Sequence, residues 1–407
     1  MPATPAHTDT RALSLGTYQA EMEAELKSIL SYWSRHAVDD QRGGFHGSID
    51  HSDMVVPGAP RGIVMYSRIC WAFSAAYGYL PDKAWLQMAT RSFRYIRDNF
   101  VDQEYGGVYW SLTENGEILD SKKQVYGLAF CIYGLSEYYR VTGDRDALRL
   151  CHALTSMIEE NSHDKVKGGY LEAFTREWKP LADLRLSDKD DNASKTMNTH
   201  LHVVEAYTNL YKADPSTDLK EKIASLLQLF DEKFLDHSSG HYRLFFDDNW
   251  QSQSELVSYG HDIEAAWLLQ QCAEVIEHPE LTGLFRKLAI QVTNAAAEAQ
   301  DDDGGLWYES GPAGRDMILE KHSWPQAEAM IGFFNAYQLT GRHSYLEKSI
   351  GSWLFTRRFI RDNEKGEWFW GVLKDYAVMK KDKAGFWKCP YHNTRACLEI
   401  IHRINNL

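Results

Sequence analysis

The sequence predicts an all-α protein, an (α/α)6 barrel of twelve helices with short β-hairpins in the loops at one end. A glycine-aromatic segment returns six times in the 407 residues. Between these segments, apolar residues recur with helical spacing in two consecutive stretches each time. Six helix pairs can close into a ring. An open solenoid is the alternative, but neither end of the chain carries the polar capping repeat that a solenoid needs.

The glycine-aromatic segments set the period of the repeat. Their intervals are 63, 62, 71, 65 and 61 residues, which indicates one supersecondary unit repeated along the chain. Glycine pairs permit the positive φ of a tight turn, and the alternating residues after them suit short strands. The glycines that mark the six segments are Gly44, Gly107, Gly169, Gly240, Gly305 and Gly366.

The helical stretches differ in polarity. Even-numbered stretches such as 69–76 are apolar on all sides and predict an inner ring, whereas odd-numbered ones such as 21–35 carry a charged face and predict an outer ring. Each even helix starts after a loop, so all of their N-termini share one end, where a ligand cleft is expected. The stretches cover, within a few residues, 17–36, 61–79, 83–99, 121–142, 145–161, 195–212, 216–234, 256–276, 279–298, 321–340, 343–360 and 388–406.

Composition narrows the class of protein. The chain is 44% hydrophobic and rich in aromatic residues, which fill cores and also stack on sugar rings. A formal charge of −13 argues against a nucleic-acid or anionic-membrane partner. Six cysteines without CxxC spacing suit reduced thiols in a cytoplasmic protein. No signal peptide or membrane span is expected, residues 1–12 are predicted to be a flexible tail, and 13–407 to be one catalytic domain.

Histidine and carboxylate side chains meet at the start of the eighth helix. His261 and Glu264 are three residues apart and share a helix face. Glu264 can therefore hold the His261 ring or meet a ligand beside it. Histidine moves protons near neutral pH, so the pair suggests acid–base chemistry. A purely structural, buried pair is the alternative.

Other inner helices also begin with polar residues. Arg68 lies in an apolar run, where it needs an ion-pair partner or serves as a donor to a sugar hydroxyl or an oxyanion. Tyr126 precedes the apolar run of helix four and could equally be a core tyrosine. His200 and His202 do not face each other on a helix, so we expect no metal there. Asn198 and His202 share a face, and we assign His202 to the cavity.

The last two inner helices complete the set. Trp324 and Glu328 share a face of helix ten, which places a stacking surface beside a carboxylate. His392 and Arg395 share a face of helix twelve, and Trp387 lies in the loop just ahead. Polar clusters at six helix starts on one end of a ring are difficult to explain by packing alone.

Five stretches, in order along nearly the whole chain, carry a family resemblance: 59–62 (APRG), 198–202 (NTHLH), 260–264 (GHDIE), 324–328 (WPQAE) and 386–393 (FWKCPYHN). Together they resemble the N-acylglucosamine 2-epimerase superfamily, and within it the cellobiose 2-epimerases. Single pieces are less specific, because mannose isomerases of the superfamily share GHxxE and WPQAE.

The resemblance implies reversible epimerisation at C2 of the reducing-end glucose in β-1,4-linked disaccharides, converting cellobiose to glucosyl-mannose and lactose to epilactose. It implies ring opening, a cis-enediolate, and no metal or nucleotide cofactor. By position, the proton-transfer histidines fall on His261 and His392, with His202 as a third. The sugar-contacting residues fall on Arg68, Tyr126, Ser187, Asp190, Asn198, Glu264, Trp324 and Trp387.

Several alternatives stay open. A mannose isomerase shares the enediolate, and an N-acylglucosamine 2-epimerase shares the fold. A glycoside hydrolase needs two carboxylates, for which Glu264 and Glu328 are candidates, about 6.5–9.5 Å apart for inversion. A non-catalytic sugar-binding scaffold has no need for three cleft histidines. We expect a small-molecule partner only, and a monomer or weak homo-oligomer.

Overall fold

The computed structural model describes residues 13–311 and 315–407. The predicted tail, residues 1–12, lies outside this part of the chain. The described residues form twelve α-helices close to the predicted stretches. Their bounds are α1 Leu15–Tyr32, α2 Ile63–Tyr79, α3 Lys83–Tyr95, α4 Val125–Thr142, α5 Arg145–Asn161, α6 Met197–Ala213, α7 Thr217–Leu229, α8 Tyr259–Val275, α9 Pro279–Ala296, α10 Ser323–Thr340, α11 His343–Phe355 and α12 His392–Asn405.

The helices form two concentric rings. The inner ring runs α2, α4, α6, α8, α10 and α12, and α12 contacts α2, which closes it. The first five inner helices are buried on nearly all sides, whereas outer helices such as α3 and α5 bury one stripe only. The outer helix α1 packs against α12, so the first repeat is joined to the last. The predicted (α/α)6 barrel is confirmed, and the open solenoid is not formed.

The beginning of α12 differs from its prediction. The apolar pattern placed it at residue 388, but the helix begins at His392. The cause is Pro390, whose ring disfavours helical backbone at the preceding residue, Cys389. The chain therefore stays irregular through Trp387 and enters the helix only after Tyr391.

Short strands lie in the loops at the end where the inner helices begin. Narrow local hairpins are present, as in the antiparallel bridges Val38–Phe45 and Val101–Val108. The sequence did not predict a second set of pairings: the strand before an inner helix pairs with the strand after the next outer helix, which fastens each repeat to its neighbour. The strands are β1 Arg61–Gly62, β2 Ser111–Leu112, β3 Ile118–Asp120, β4 Lys123–Gln124, β5 Ala173–Phe174, β6 Lys195–Thr196, β7 Phe245–Phe246, β8 Val257–Ser258, β9 Glu309–Ser310, β10 Glu320–His322 and β11 Gly371–Leu373.

An ion pair with a buried cation recurs in these loops. An aspartate opens the turn after an outer helix, and a cation two residues ahead of the next inner helix binds it. Repeats four and six depart from this pattern: Val257 occupies the cation position in repeat four, and in repeat six the cation is Lys383, which binds Asp362 at 2.8 Å from further ahead of α12. The pairs are Arg61–Asp39 at 2.6 Å, Lys123–Asp102 at 2.8 Å, Lys195–Asp164 at 2.8 Å and Lys321–Asp301 at 2.9 Å.

The fourth residue of an inner helix supports the same turn. His200 accepts the backbone N–H of Tyr170 through Nε2 at 2.8 Å, and its Nδ1 lies 2.7 Å from the Thr196 carbonyl oxygen. Asp262 accepts the backbone N–H of Tyr242 at 2.8 Å in the corresponding place on α8. Burial lowers the pKa of His200 to about 3, so the ring is neutral. These two residues therefore support the fold.

All six cysteines are free thiols in the buried interior.

Within the described ranges, no helix combines the length and the apolar character that a membrane crossing requires.

Replacing Lys195 with Met should destabilise the barrel by about 3–5 kcal/mol, because it leaves the Asp164 carboxylate without its buried cation. Lys195 Nζ also donates to the Gly168 carbonyl oxygen at 2.9 Å. Urea unfolding measures the free energy, and Lys165→Met, at an exposed position, is the matched control. Equal stability of the two variants would show that the recurring pair contributes nothing.

Candidate active site

A cavity of about 390 Å³ opens at the end where the inner helices begin. We call it the upper cavity. Nine of the eleven residues singled out in the sequence reach it from inner helices or from the loop before α12, and two come from the loop between β5 and β6. All eleven line it: Arg68, Tyr126, Ser187, Asp190, Asn198, His202, His261, Glu264, Trp324, Trp387 and His392.

Helix register explains why these side chains meet. The inner helices start at one end, so residues with the same number within the helix lie at a similar depth. The sixth residue is Arg68 in α2, His202 in α6, Glu264 in α8 and Glu328 in α10. The floor of the cavity is therefore charged, although it lies within an apolar barrel.

A single guanidinium holds the floor together. One terminal nitrogen of Arg395, on α12, donates to Glu264 and also to Glu328, the latter at 2.7 Å. The other terminal nitrogen donates to Glu205. All four side chains are buried. Burial alone would raise the pKa of Glu205, but Arg395 and His202 bring it down to about 2. The expectation that Glu264 could hold the His261 ring is wrong, because Glu264 is held by Arg395 instead.

His392 and His202 each face a carboxylate through Nδ1. His392 Nδ1 lies 2.7 Å from Glu328 Oε1, and His202 Nδ1 lies 2.8 Å from Glu205 Oε2. Burial raises the pKa of Glu328, but N–H groups of Arg395 and Trp267 also donate to it and favour the carboxylate. An ionised carboxylate only accepts, so Nδ1 of each ring carries the proton in this contact. When the ring is neutral, Nε2 carries a lone pair that can accept a proton.

His261 is held differently. Its Nδ1 lies 2.8 Å from the Ser258 hydroxyl, which can donate or accept. The ring can therefore adopt either neutral tautomer. The Trp324 ring centroid lies 4.8 Å from that of His261 and 5.5 Å from that of His392. Both histidines therefore pack against the same indole.

Arg68 has no carboxylate partner within 4.0 Å in the described part of the chain, so its ion-pair alternative is excluded there. It donates to the Tyr126 hydroxyl at 2.8 Å and to the Trp387 carbonyl oxygen at 3.4 Å. The guanidinium carbon lies 4.2 Å from the centroid of Phe130. Because this buried charge is uncompensated, it is well placed to stabilise an anion in the cavity.

The walls of the upper cavity offer sites for hydroxyl groups. The buried Oδ1 of Asn198 has no hydrogen-bond partner among the described residues. Ser187 donates to Asp190 at 2.6 Å, which orders the loop that carries both. The Trp387 ring lies edge-on to Tyr126, 6.0 Å between centroids. These groups suit a polar ligand with rings.

Sequence reasoning missed several residues of the site. Glu172 lines the cavity and accepts from the Thr199 hydroxyl at 2.6 Å, and burial raises its pKa to about 8. Glu205 lies three residues after His202 on α6, so spacing could have revealed that contact, but its partners Tyr391 and Arg395 come from the start of α12. Lys189, in the same loop as Ser187, reaches across to the Tyr308 hydroxyl. Glu172, Glu205 and Lys189 lie outside the quoted motifs.

One group of potential metal ligands occurs in the described ranges, formed by Glu264, Glu328 and His392, with ligand atoms within 4.8 Å of one another. Arg395 already donates to both carboxylates. A cation at this point would have to approach a fixed positive charge. The donor set therefore fits a guanidinium better than a metal ion.

The two histidines that pack against Trp324, His261 and His392, are neutral at pH 7. Burial lowers the pKa of His392 well below its ordinary value, and the charges of Arg68 and Arg395 lower it further. Burial, with a smaller effect of Lys189, lowers the pKa of His261 to about 3. A neutral imidazole is the form that acts as a base.

The barrel and its cavity match a known sugar-converting class. The family model of N-acylglucosamine 2-epimerase matches residues 43–396. A cellobiose 2-epimerase of Bacteroides fragilis is 45% identical over 383 residues, covering 94% of this chain and 98% of the relative. The chain therefore belongs to the N-acylglucosamine 2-epimerase family and is an epimerase-type isomerase.

Solved structures agree. The cellobiose 2-epimerase of Bacillus thermoamylovorans superposes with a TM-score of 0.90 at 38% identity, covering 95% of this chain and 100% of the other. A D-mannose isomerase gives 0.84 at 22% identity over 94% of this chain and 97% of the other. At that identity, the second match supports the fold alone.

His261 and His392 should both remain neutral at pH 6, where a free histidine with a pKa of about 6.5 is mostly protonated. Because burial lowers the pKa of both rings, they take up a proton only in more acidic solution. Long-range ¹H–¹⁵N NMR titration measures this, with signals assigned from His261→Asn and His392→Asn. The urea-unfolded chain is the control. A midpoint at or above the free value for either ring would contradict the burial argument.

Proposed function

We propose that the protein epimerises the reducing-end glucose of β-1,4-linked disaccharides at C2, interconverting cellobiose with glucosyl-mannose and lactose with epilactose. The carrying observation is that the neutral imidazoles of His261 and His392 pack against the same indole, Trp324, with the uncompensated Arg68 guanidinium in the same cavity. The name of the 45% identical relative supports this substrate class. In this proposal the protein is cytoplasmic, a monomer or weak homo-oligomer, and uses no metal or nucleotide.

The first step opens the sugar ring. The hydrogen on C2 becomes acidic only when C1 is an aldehyde, so a proton must reach the ring oxygen while another leaves the anomeric hydroxyl. His202 and His261 are assigned to this exchange. The serine-bonded ring of His261 can present either N–H or a lone pair from Nε2, and His202 presents a lone pair.

The second step moves the proton on C2. Nε2 of one histidine removes it, and the electron pair forms a cis-enediolate whose negative oxygen faces Arg68. Rotation about the C2–C3 bond presents the opposite face to the other histidine, which returns a proton that it took up from water, and the first histidine then releases its proton to water. Each such transfer typically contributes about 10²–10⁴-fold to the rate. The Glu328 contact aligns His392 for its part.

The remaining polar groups bind the disaccharide. Trp387 and Trp324 offer apolar surface to the sugar rings, Asn198 Oδ1 accepts from a hydroxyl, and Ser187 and Asp190 contact the second sugar. The family resemblance supports these roles, and the shared cavity agrees with them. Glu264 contacts the reducing-end sugar while its charge is held by Arg395.

The hydrolase alternative is disfavoured by geometry. Ligand oxygens of Glu264 and Glu328 lie within 4.8 Å, closer than the separation of about 6.5–9.5 Å that an inverting enzyme needs for its water. Both carboxylates are also committed to one guanidinium. Neither is free to serve as a general acid.

The test is incubation with cellobiose, lactose, mannose and N-acetylglucosamine, followed by chromatography of the products. We expect C2 epimers from cellobiose and lactose. A mannose isomerase would give fructose from mannose, and an N-acylglucosamine 2-epimerase would give N-acetylmannosamine. Either of those products without a disaccharide epimer would contradict the proposed substrate.

Single His261→Asn and His392→Asn variants should each lose epimerisation, because completing it needs both faces of C2. Each should keep C2 hydrogen exchange with one epimer only. In D₂O, we expect His392 to serve the glucose form, so His261→Asn labels that form and His392→Asn labels the mannose form. NMR of the recovered sugars measures the label.

The control is an open-chain analogue, which bypasses ring opening. Failure of both variants to exchange even this analogue would contradict the assignment of one histidine to each face. A near-native epimerisation rate in either variant would show that one imidazole reaches both faces.

A further inference from the structure

The side chain of Ser258 is used differently from that of an ordinary serine before a helix. Ser258 immediately precedes α8, where a serine hydroxyl normally accepts a hydrogen bond from a backbone N–H of the first turn. Thr196, in the same position before α6, accepts from the N–H of Thr199 at 3.1 Å. The Ser258 hydroxyl makes no such bond and lies instead 2.8 Å from Nδ1 of His261, the third residue of α8.

The surroundings of Ser258 decide the direction of this hydrogen bond. The side chain is 1% exposed, and among the described residues the ring of His261 is the one hydrogen-bond partner of the hydroxyl. If Nδ1 donated, the hydroxyl hydrogen would be buried without an acceptor, and a buried donor left unpaired is costly. The hydroxyl therefore donates to Nδ1, and a neutral His261 carries its proton on Nε2.

His202 and His392 are held in the opposite way. Each turns Nδ1 to a carboxylate, Glu205 at 2.8 Å and Glu328 at 2.7 Å, which only accepts. Their neutral rings therefore keep a lone pair on Nε2, whereas His261 keeps an N–H there. In the described part of the chain, the three Nε2 atoms have no hydrogen-bond partner and are not enclosed by protein, so they remain accessible from the upper cavity.

Trp324 helps to hold the His261 ring in this orientation. The centroids of the two rings are 4.8 Å apart. Gly260 permits this approach, because a Cβ at that position would lie 2.4 Å from the Trp324 ring. Turning the imidazole over would replace Nδ1 by a carbon and leave the Ser258 hydroxyl without a partner. The N–H at Nε2 therefore keeps one direction.

We propose that Ser258 is a positioning residue that keeps His261 in its Nε2–H tautomer, so that His261 is the proton donor of the site and His202 and His392 are its proton acceptors. The catalytic meaning of this assignment rests on the proposed function. Ring opening needs a donor at the ring oxygen and an acceptor at the anomeric hydroxyl, and the two kinds of imidazole supply one of each.

The same assignment gives the two histidines their roles at C2 when the glucose form reacts. His392 accepts the C2 proton on the Nε2 lone pair, and His261 already holds, on Nε2, the proton that is returned to the other face. Nε2 of His261 then takes up a proton from water, and His392 releases one to water. Both rings regain their starting tautomers, and the protons balance.

NMR of the wild-type protein at pH 7 tests the tautomer without any variant. Long-range ¹H–¹⁵N spectra distinguish protonated from unprotonated ring nitrogens, with signals assigned from His261→Asn and His392→Asn. We expect the proton of His261 on Nε2 and that of His392 on Nδ1. A His261 ring protonated on Nδ1, or on both nitrogens, overturns the proposal.

Variants of Ser258 test its positioning role. Ser258→Asp replaces a donating hydroxyl with a carboxylate that only accepts, so the proton of His261 should move to Nδ1. Ser258→Ala removes the contact and should lower kcat for cellobiose about tenfold, with KM changed less than about twofold, because His261 acts in the transition state. Ser258→Thr keeps a hydroxyl and should retain both the Nε2–H signal and the wild-type kcat.

Ser216→Ala is the matched control, because Ser216 precedes the outer helix α7 and accepts from the N–H of Leu219 at 3.2 Å. It should lower stability and leave the His261 tautomer and kcat unchanged. Circular dichroism checks that each variant is folded. A loss of kcat in Ser258→Ala that also occurs in Ser258→Thr, or an equal loss in Ser216→Ala, contradicts the positioning role.

Failure of this assignment is distinguishable from failure of the proposed function, because the NMR spectrum needs no substrate. Epimerisation of cellobiose by a protein whose His261 is protonated on Nδ1 would overturn the assignment alone. The expected spectrum in a protein that does not epimerise any disaccharide would overturn the proposed function and leave the tautomer established.

Discussion

The structure depends on one buried guanidinium shared among three carboxylates. Arg395 takes Glu205, Glu264 and Glu328 from three different inner helices and ties them to α12. Without it, three negative charges would face one another in a site of low dielectric, where an unpaired charge is very costly. The pairing therefore permits a charged floor inside an apolar ring. It also fixes the angular position of α12, the helix that carries His392.

The same layer sets the protonation of the catalytic candidates. Glu328 and Glu205 each receive the Nδ1 side of an imidazole, so the opposite nitrogen of His392 and His202 faces outward as a lone pair. The positive charge of Arg395 disfavours protonation of His392 and so lowers the pKa of that ring. A carboxylate thus orients the ring, and burial, together with the charges of Arg68 and Arg395, keeps it neutral. The positions of both follow from helix register.

The spacing of apolar residues predicted the fold, because residues three and four apart share one face of a helix and this pattern can be read along the sequence. The repeat interval predicted the ring, and the even helices proved to be its inner layer. The pairs between turn aspartates and cations, such as Lys123–Asp102, were not predicted, since the partners lie 21 residues apart in one loop and no helical spacing relates them. Spacing along one helix shows which residues share a face. It cannot show which residue on another helix lies opposite.

That limit explains what was right and wrong about the site. His202 was preferred over His200 from spacing within α6 alone, and the structure places His202 in the cavity and His200 behind it. Of the two alternatives for Glu264, the contact with His261 is not formed, because Arg395 approaches from α12. Ser187 and Asp190 carry no periodic signal, and only the resemblance pointed to them. Arg395 itself was noticed as a neighbour of His392, with no indication that it joins three helices.

The contact between α1 and α12 makes the order of the repeats arbitrary. Gln19 of α1 donates to Asn405 of α12 at 3.1 Å, so the two helices adjoin near this point. Each repeat meets its neighbours through the same helix packing and the same strand pairing, wherever the chain happens to be interrupted. The barrel should therefore tolerate circular permutation, with a short linker across this seam and new ends in a tight connection such as that around Gly143, far from the upper cavity. The ring of repeats is closed, so the chain ends can be moved to another connection without changing the packing between repeats.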